Sequence, residues 1–513
     1  MKFNRSSGIL LHPTSLPGPF GSGDLGSSSY HFIDWLVVAG QKIWQTLPLG
    51  PVGMGDSPYM GLSAFAGEPL LIDLQELVRH GWLPEIELQN LPPFQTGKVE
   101  FGIVRTFRMS RLRKAAEAFF TKGTANDKND FTSFNQKQNS WLDDYSLFMA
   151  LIEKYNGKEW SSWDPEIAKR TPAAMNAVRT ELAPEINFWK FTQWCFYRQW
   201  FALKQHANNK GIQIVGDIPI FVAYQSADVW ANPQLFHLDK EMKPTHVAGV
   251  PPDYFSVTGQ RWGNPLYRWE KMHESGYQWW IDRIRMTLTL VDIVRIDHFR
   301  GFAGYWEIPA TEKTAERGRW VKGPGSELFD AIKEKLGSLA IIAEDLGVLT
   351  PDVLELRDRY NFPGMRILQF AFAGDAANSF LPHNYSTNTI VYTGTHDNDT
   401  TIGWFHTATE REREFIKRYL GTEAKDIHWD LIRLASRSVA DIAVFPFQDI
   451  LGLGTEGRMN LPGTALGNWN WRFSWDQVKP RHAEQLYEIS ALTSRTAPDR
   501  LTLPSYPSGK AQP

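Results

Sequence analysis

The sequence predicts an α/β chain closed into a (β/α)8 TIM barrel, with helical and loop insertions above its C-terminal face and no C-terminal β domain. Three observations carry that prediction. Eight short apolar runs read as buried strands, helical patterns fall between the later ones, and three of those runs end in a carboxylate. A parallel strand covered on both faces reads as a β-branched run rather than as an alternating one. Barrel enzymes keep their chemistry at the C-terminal ends of such strands.

The runs lie at 8–12, 42–49, 212–221, 291–298, 339–346, 365–372, 389–395 and 442–447. Between the fourth and seventh, the spacing is that of strand–helix units, with helical patterns at 327–336 and 353–360. Strands alternating with helices imply a parallel sheet. Two gaps exceed what a minimal barrel needs. The stretch 50–211 is expected to be a mainly helical insertion, with helical patterns at 107–122, 145–155 and 187–209. The stretch 222–290 reads as a long Pro/Gly/Trp-rich loop region over the barrel mouth. Residues 1–498 are thus expected to form one catalytic domain, and 499–513, rich in Pro and Ser, a flexible tail.

Composition narrows the function classes. The chain has 513 residues, of which 42% are hydrophobic and 22% charged, as expected of an ordinary globular core. A net charge of −3 gives no electrostatic case for nucleic acid or anionic membrane. One cysteine, Cys195, excludes an intramolecular disulfide and fits a reducing compartment. The N-terminus has no signal-peptide core and no apolar stretch reaches 18 residues, so a cytoplasmic location, or a plastid stroma in a plant or alga, is expected. Aromatics make up 13% of the chain and include 21 Trp. Trp230, Trp262, Trp269, Trp469 and Trp471 sit among Gly, Pro, Asn and Gln, where they either pack loops or offer flat faces to sugar rings.

The motifs at the strand ends point to sugar chemistry. In Arg295-Ile-Asp297-His298, alternation along a strand puts Arg295 and Asp297 on one side. An arginine there holds the carboxylate ionised, as a glycosidic nucleophile requires, although a structural barrel salt bridge has the same pattern. Glu344, in Ala-Glu-Asp-Leu-Gly, suits a general acid kept protonated by burial or by Asp297 on the neighbouring strand. Asp345 points the other way and reads as structural, as a cap for the next helix. Asp397, in Thr-His-Asp-Asn-Asp-Thr, suits a stabiliser of an oxocarbenium-like centre, with His396 donating to a sugar hydroxyl. His396, Asp397 and Asp399 also admit a hard cation, but no metal-binding spacing accompanies them, and neither metal nor cofactor is expected. Asp217 ends the third run and faces the mouth or anchors a loop.

With these residues in place, the chain resembles the α-amylase clan, and within it the amylomaltases, or 4-α-glucanotransferases. The narrower resemblance is carried by Leu16-Pro-Gly-Pro-Phe-Gly-Ser-Gly-Asp-Leu-Gly26, Trp44-Gln-Thr-Leu-Pro-Leu-Gly-Pro51, Ser57-Pro-Tyr59, Ser63-Ala-Phe-Ala-Gly67, Gly249-Val-Pro-Pro-Asp253, Gly259-Gln-Arg-Trp262-Gly-Asn-Pro and Arg458-Met-Asn-Leu-Pro-Gly463. It implies Asp297 as nucleophile, Glu344 as acid/base and Asp397 as transition-state stabiliser. It also implies sugar contacts from Tyr59, Asp217, Arg295 and His396, with Ser57, Asp253, Gln260 and Trp262 lining the donor and acceptor sides. Family members usually carry Gln after Ser-Pro-Tyr, and this chain has Met60.

The resemblance implies transfer of 1,4-α-glucan segments to a second glucan or maltooligosaccharide by retaining double displacement. Nothing in the chain demands an oligomer. Two rivals remain. A hydrolysing α-amylase would show Asn-His tied to calcium after the third-strand aspartate, where this chain has Phe221-Val222. A non-catalytic glucan-binding protein would have lost a carboxylate, and all three are present.

Overall fold

A computed structural model describes residues 3–253, 256–347, 349–464 and 466–496. Its main sheet has eight parallel strands: β1 (Ser6–Leu10), β2 (Ile43–Gln45), β3 (Gln213–Pro219), β4 (Ile293–Asp297), β5 (Ile341–Ala343), β6 (Gly364–Ile367), β7 (Thr389–Tyr392) and β8 (Ile442–Pro446). Each falls within or against one of the eight expected runs. β8 pairs with β1, so the order wraps round from β6 to β5. The seam between β5 and β6 is closed by Ala343 N–H donating to Pro363 O at 3.0 Å. These strands are buried on both faces, which is why their apolar runs do not alternate.

Asp345 completes that seam. Its Oδ1 accepts Met365 N–H at 2.7 Å and its Oδ2 pairs with Arg357 at 2.5 Å. It therefore bridges strand and helix from below rather than capping the helix Pro351–Arg359, whose N-cap is Thr350.

The stretch 50–211 carries the long helices Phe101–Lys122, Ala125–Lys154 and Ala183–Asn209. They reach the site in part through a clamp on Gly67. Gln193 accepts Gly67 N–H at 2.8 Å and returns a bond to Gly67 O at 2.9 Å. A Cβ on Gly67 would lie 2.0 Å from the Phe196 ring, so only glycine lets the segment rest on this helix. That segment is the one that carries Tyr59.

The region 222–290 differs from the loop that was expected. It contains the strands His246–Val250 and Gln260–Pro265, which join Gly304–Pro309 and Arg319–Lys322 in a four-stranded antiparallel sheet. Gly, Pro and charged residues in these short, half-exposed strands hide the apolar pattern. Two helices, Trp269–Glu274 and Gln278–Leu290, then lead into β4. Among the described residues, no strand follows β8. The tail 499–513 lies outside the described residues.

Candidate active site

The C-terminal ends of β3, β4 and β5 bring three acidic residues and one arginine together. β3 and β4 are paired so that Asp217 lies opposite Arg295, and Pro219 opposite Asp297. Arg295 is buried and divides its charge. Its Nη1 lies 2.5 Å from Asp217 Oδ2 and 3.1 Å from Asp297 Oδ1. Gly216 precedes Asp217 because a Cβ there would lie 2.6 Å from Val291 at the entry to β4.

The chain leaves β4 abruptly. His298 is left-handed (φ 53°), which non-glycine residues seldom adopt and which gathers at functional sites. Its N–H donates to Glu344 Oε2 at 2.7 Å, and Leu346 N–H donates to Oε1 at 2.9 Å. Glu344 is buried, and among the described residues it forms no ion pair. Burial, reinforced by the charge of Asp297, pushes its carboxyl up to about 8, against the opposing pull of Arg295 and the two N–H donors. It stays protonated at neutral pH.

Asp297 corrects one expectation. Arg295 does favour its ionised form, yet the net shift is upward, to about 6. Burial is the largest cause, Asp217 and Asp397 add to it, and Arg295 and His396 offset only part. The arginine is shared with Asp217 and cannot serve Asp297 alone. About 31% of the Asp297 side chain faces the open mouth, and the group remains mostly ionised at pH 7.

The third carboxylate follows β7. Asp397 Oδ1 accepts from Asn460 Nδ2 at 2.6 Å and lies 3.3 Å from His396 Nε2. Asn460 N–H also donates to His396 O at 3.0 Å. Arg458 ties the same segment down, donating from Nη2 to Asp397 O and from Nε to Asn460 O, each at 2.7 Å. Asp399 turns away and accepts from Thr400 N–H and Thr455 Oγ1, both at 2.8 Å. Among the described residues, no three His, Cys, Asp or Glu side chains converge as a metal site.

Tyr59 links the two halves of the site. Its hydroxyl donates to Asp217 Oδ2 at 2.8 Å and lies 3.4 Å from His396 Nδ1. Its ring stacks on His396 (centroids 5.0 Å apart, planes at 20°), and Trp469 closes against both rings at 5.7 and 5.8 Å. Ser57 Oγ accepts Tyr59 N–H at 3.3 Å, so it shapes the turn that presents Tyr59. Trp262 stands edge-on to His298 at 4.8 Å and donates from Nε1 to Gln260 Oε1 at 3.2 Å, which brings both to the rim beside Asp297. Asp253 sits farther out, on an exposed loop where its Oδ1 accepts Ser256 N–H at 2.8 Å. Met60 packs its sulfur 3.8 Å from Asn264 Nδ2.

Three of the tryptophans singled out in the sequence, Trp230, Trp469 and Trp471, are buried. Trp230 is fully buried against Phe148 and Trp163, with Arg170 over its ring, and Trp471 stacks on Phe473. Trp269 is half-buried against Tyr267. Conversely, Arg458 and Asn460 carried no assigned role in the sequence. Their one signal was the Arg458–Gly463 motif, which names no chemistry by itself.

The chain is similar to several known proteins. A family model described as 4-alpha-glucanotransferase matches residues 11–478. A 4-alpha-glucanotransferase of Thermus thermophilus is 50% identical over 503 residues, which is 96% of this chain and 100% of that protein. One from Synechocystis sp. is 51% identical over 495 residues, covering 96% and 98%. An amylomaltase from Streptococcus agalactiae in complex with acarbose superposes with a TM-score of 0.94 at 40% identity, covering 96% and 100%.

Proposed function

The chain belongs to the 4-alpha-glucanotransferase family, and from that premise we propose how its own residues perform the transfer. Asp297 attacks the anomeric carbon of a bound 1,4-α-glucan while Glu344 protonates the leaving oxygen. The chain on the reducing side departs and a covalent glucosyl–Asp297 ester remains. Glu344, now ionised, takes the proton from the 4-hydroxyl of a second glucan. That oxygen displaces Asp297, and two inversions give net retention.

One observation carries this reading: two neighbouring carboxyls in opposite surroundings. Asp297 shares a buried arginine at 3.1 Å, whereas Glu344 meets, among the described residues, two backbone N–H donors and no ion pair, and is held protonated. Such a pair, pushed apart by environment, divides the nucleophile and acid roles. Asp397, fixed by Asn460 and His396, is placed to stabilise the oxocarbenium-like centre. Tyr59, Asp217, Arg295 and His396 hold the sugar being transferred, and Ser57, Asp253, Gln260 and Trp262 serve the donor and acceptor sides.

Transfer needs an acceptor that outcompetes water. Aromatic cover from Tyr59, Trp262 and Trp469 supports that by excluding water and holding sugar close. No helix among the described residues is long and apolar enough to cross a membrane. We place the enzyme in a reducing aqueous compartment, cytosol or plastid stroma, acting as a monomer. Incubation with maltotriose, followed by chromatography, tests the function. Glucose together with maltopentaose and longer chains is the expected outcome; glucose and maltose alone would mean hydrolysis.

A further inference from the structure

Of the 21 tryptophans in the chain, Trp320 alone is exposed, at 43%. It lies on the outer strand of the antiparallel sheet, opposite Trp306 in register. An exposed apolar residue by itself is ordinary. Trp320 differs because it is braced. The Arg300 guanidinium sits 3.9 Å from its ring centroid, and Trp306 meets it edge-on at 5.3 Å and 67°. Arg300 is itself buried and its Nε donates to Gly304 O at 3.4 Å. The indole is thus held from one side, and its exposed area is offered to solvent.

Its position ties it to the site. Gly323 N–H donates to Ala303 O at 2.9 Å and Gly325 N–H to Phe302 O at 2.8 Å. The strand therefore rests on the turn Phe299–Phe302, which starts two residues after Asp297. Lys322 lies on the same side of the strand and is exposed, so a hydrogen-bond donor stands beside the ring. A pyranose ring presents a C–H face that matches the electron-rich face of an indole.

We propose that Trp320 is the platform of a surface binding site for α-1,4-glucan, outside the catalytic carboxylates, which holds a distal part of a long chain. The proposal rests on the transferase reading above. A glucan fits better than a protein partner, because Trp320 is the single exposed large apolar residue described on this hairpin. A stable protein interface needs about 800 Å² from each side.

The test is Trp320→Ala and Trp320→Phe in the full chain, assayed on maltotriose and on amylose, with affinity electrophoresis through glycogen. Trp320→Ala should leave maltotriose disproportionation unchanged, raise KM for amylose about fivefold to tenfold and lose retardation by glycogen. That is the worth of about 40–55 Å² of apolar sugar face taken out of water. Trp320→Phe should keep most of both. Unchanged amylose KM and glycogen retardation in Trp320→Ala would overturn the proposal, as would an equal loss on maltotriose. Failure of the transferase reading is seen separately, as wild-type enzyme that makes no longer chains from maltotriose.

Discussion

Glu344 accepts the backbone N–H of His298 at 2.7 Å, so the proposed acid is held by the residue that directly follows the proposed nucleophile, Asp297. The two carboxyls cannot titrate independently. The proposed mechanism requires Asp297 ionised and Glu344 protonated. Asp297 stands near 6 and Glu344 near 8, both raised first by burial. The profile of kcat/KM on maltotriose should therefore be bell-shaped, falling as pH drops through about 6 and as it rises through about 8, each limb belonging to the pair. A rate that stays flat to pH 10 would contradict the assignment of Glu344 as acid.

The same shift couples to stability. The carboxyl of Glu344 moves from 4.5 to about 8 on folding. A pKa raised by folding means the folded state favours the protonated form. Its contribution is complete below about 4.5 and is lost as pH rises through about 8. Glu344→Gln mimics the protonated acid at every pH. Its Tm advantage over wild type should grow between pH 5 and pH 9 by about 2–4 °C, as expected for a few kcal/mol in a chain of this size. Transfer activity should fall by about 10²–10⁴-fold. Calorimetry showing a constant Tm difference across that range would remove the linkage.

Asp217, Arg295, Asp297 and Glu344 were legible because strand alternation fixes direction: apolar runs announce β3 to β5 and period two aims the polar ends. Asn460 was not, since it reaches Asp397 from a loop after β8 and no local period joins them. The strands Gly304–Pro309 and Arg319–Lys322 escaped for a related reason. These short antiparallel strands carry Gly, Trp, Glu, Arg and Lys with a single β-branched residue each, Ile308 and Val321, so no apolar run announces them. The helix Ala125–Lys154 extends 20 residues ahead of the expected 145–155 because its polar first half, which opens Ala-Asn-Asp-Lys-Asn-Asp, has little apolar stripe to read. For Trp230 the fold decides between the two roles that the sequence leaves open: the side chain is completely buried.

Asn460 gives a direct test of how Asp397 is positioned. Its Nδ2 makes the 2.6 Å bond to the carboxylate that fixes the carboxyl plane. A hydrogen bond to a charged group is worth about 1.5–3 kcal/mol, or roughly 10–100-fold in rate if it acts in the transition state. Asn460→Ala should lose that factor in kcat while KM for maltotriose changes little. A mutant whose KM rises with kcat intact would instead place Asn460 in ground-state sugar binding.

Tyr59 separates two contributions that one residue makes. The ring stacks on His396 and closes against Trp469, while the hydroxyl donates to Asp217 Oδ2 at 2.8 Å. Tyr59→Phe keeps the stack and removes the donor. Asp217 Oδ2 is then left to Arg295, and its Oδ1 already has no partner among the described residues. Arg295 is then drawn further toward Asp217 and away from Asp297, so Asp297 loses part of what keeps it ionised. Tyr59→Phe should therefore lower kcat by roughly 10–100-fold, the worth of one hydrogen bond to a carboxylate, and shift the acid limb of the pH profile upward. Tyr59→Ala should do the same and also raise KM, because the sugar loses its stacking face. If Tyr59→Phe matched Tyr59→Ala in both constants, the hydroxyl alone would carry the role. If it matched wild type, the bond to Asp217 would have no bearing on the chemistry.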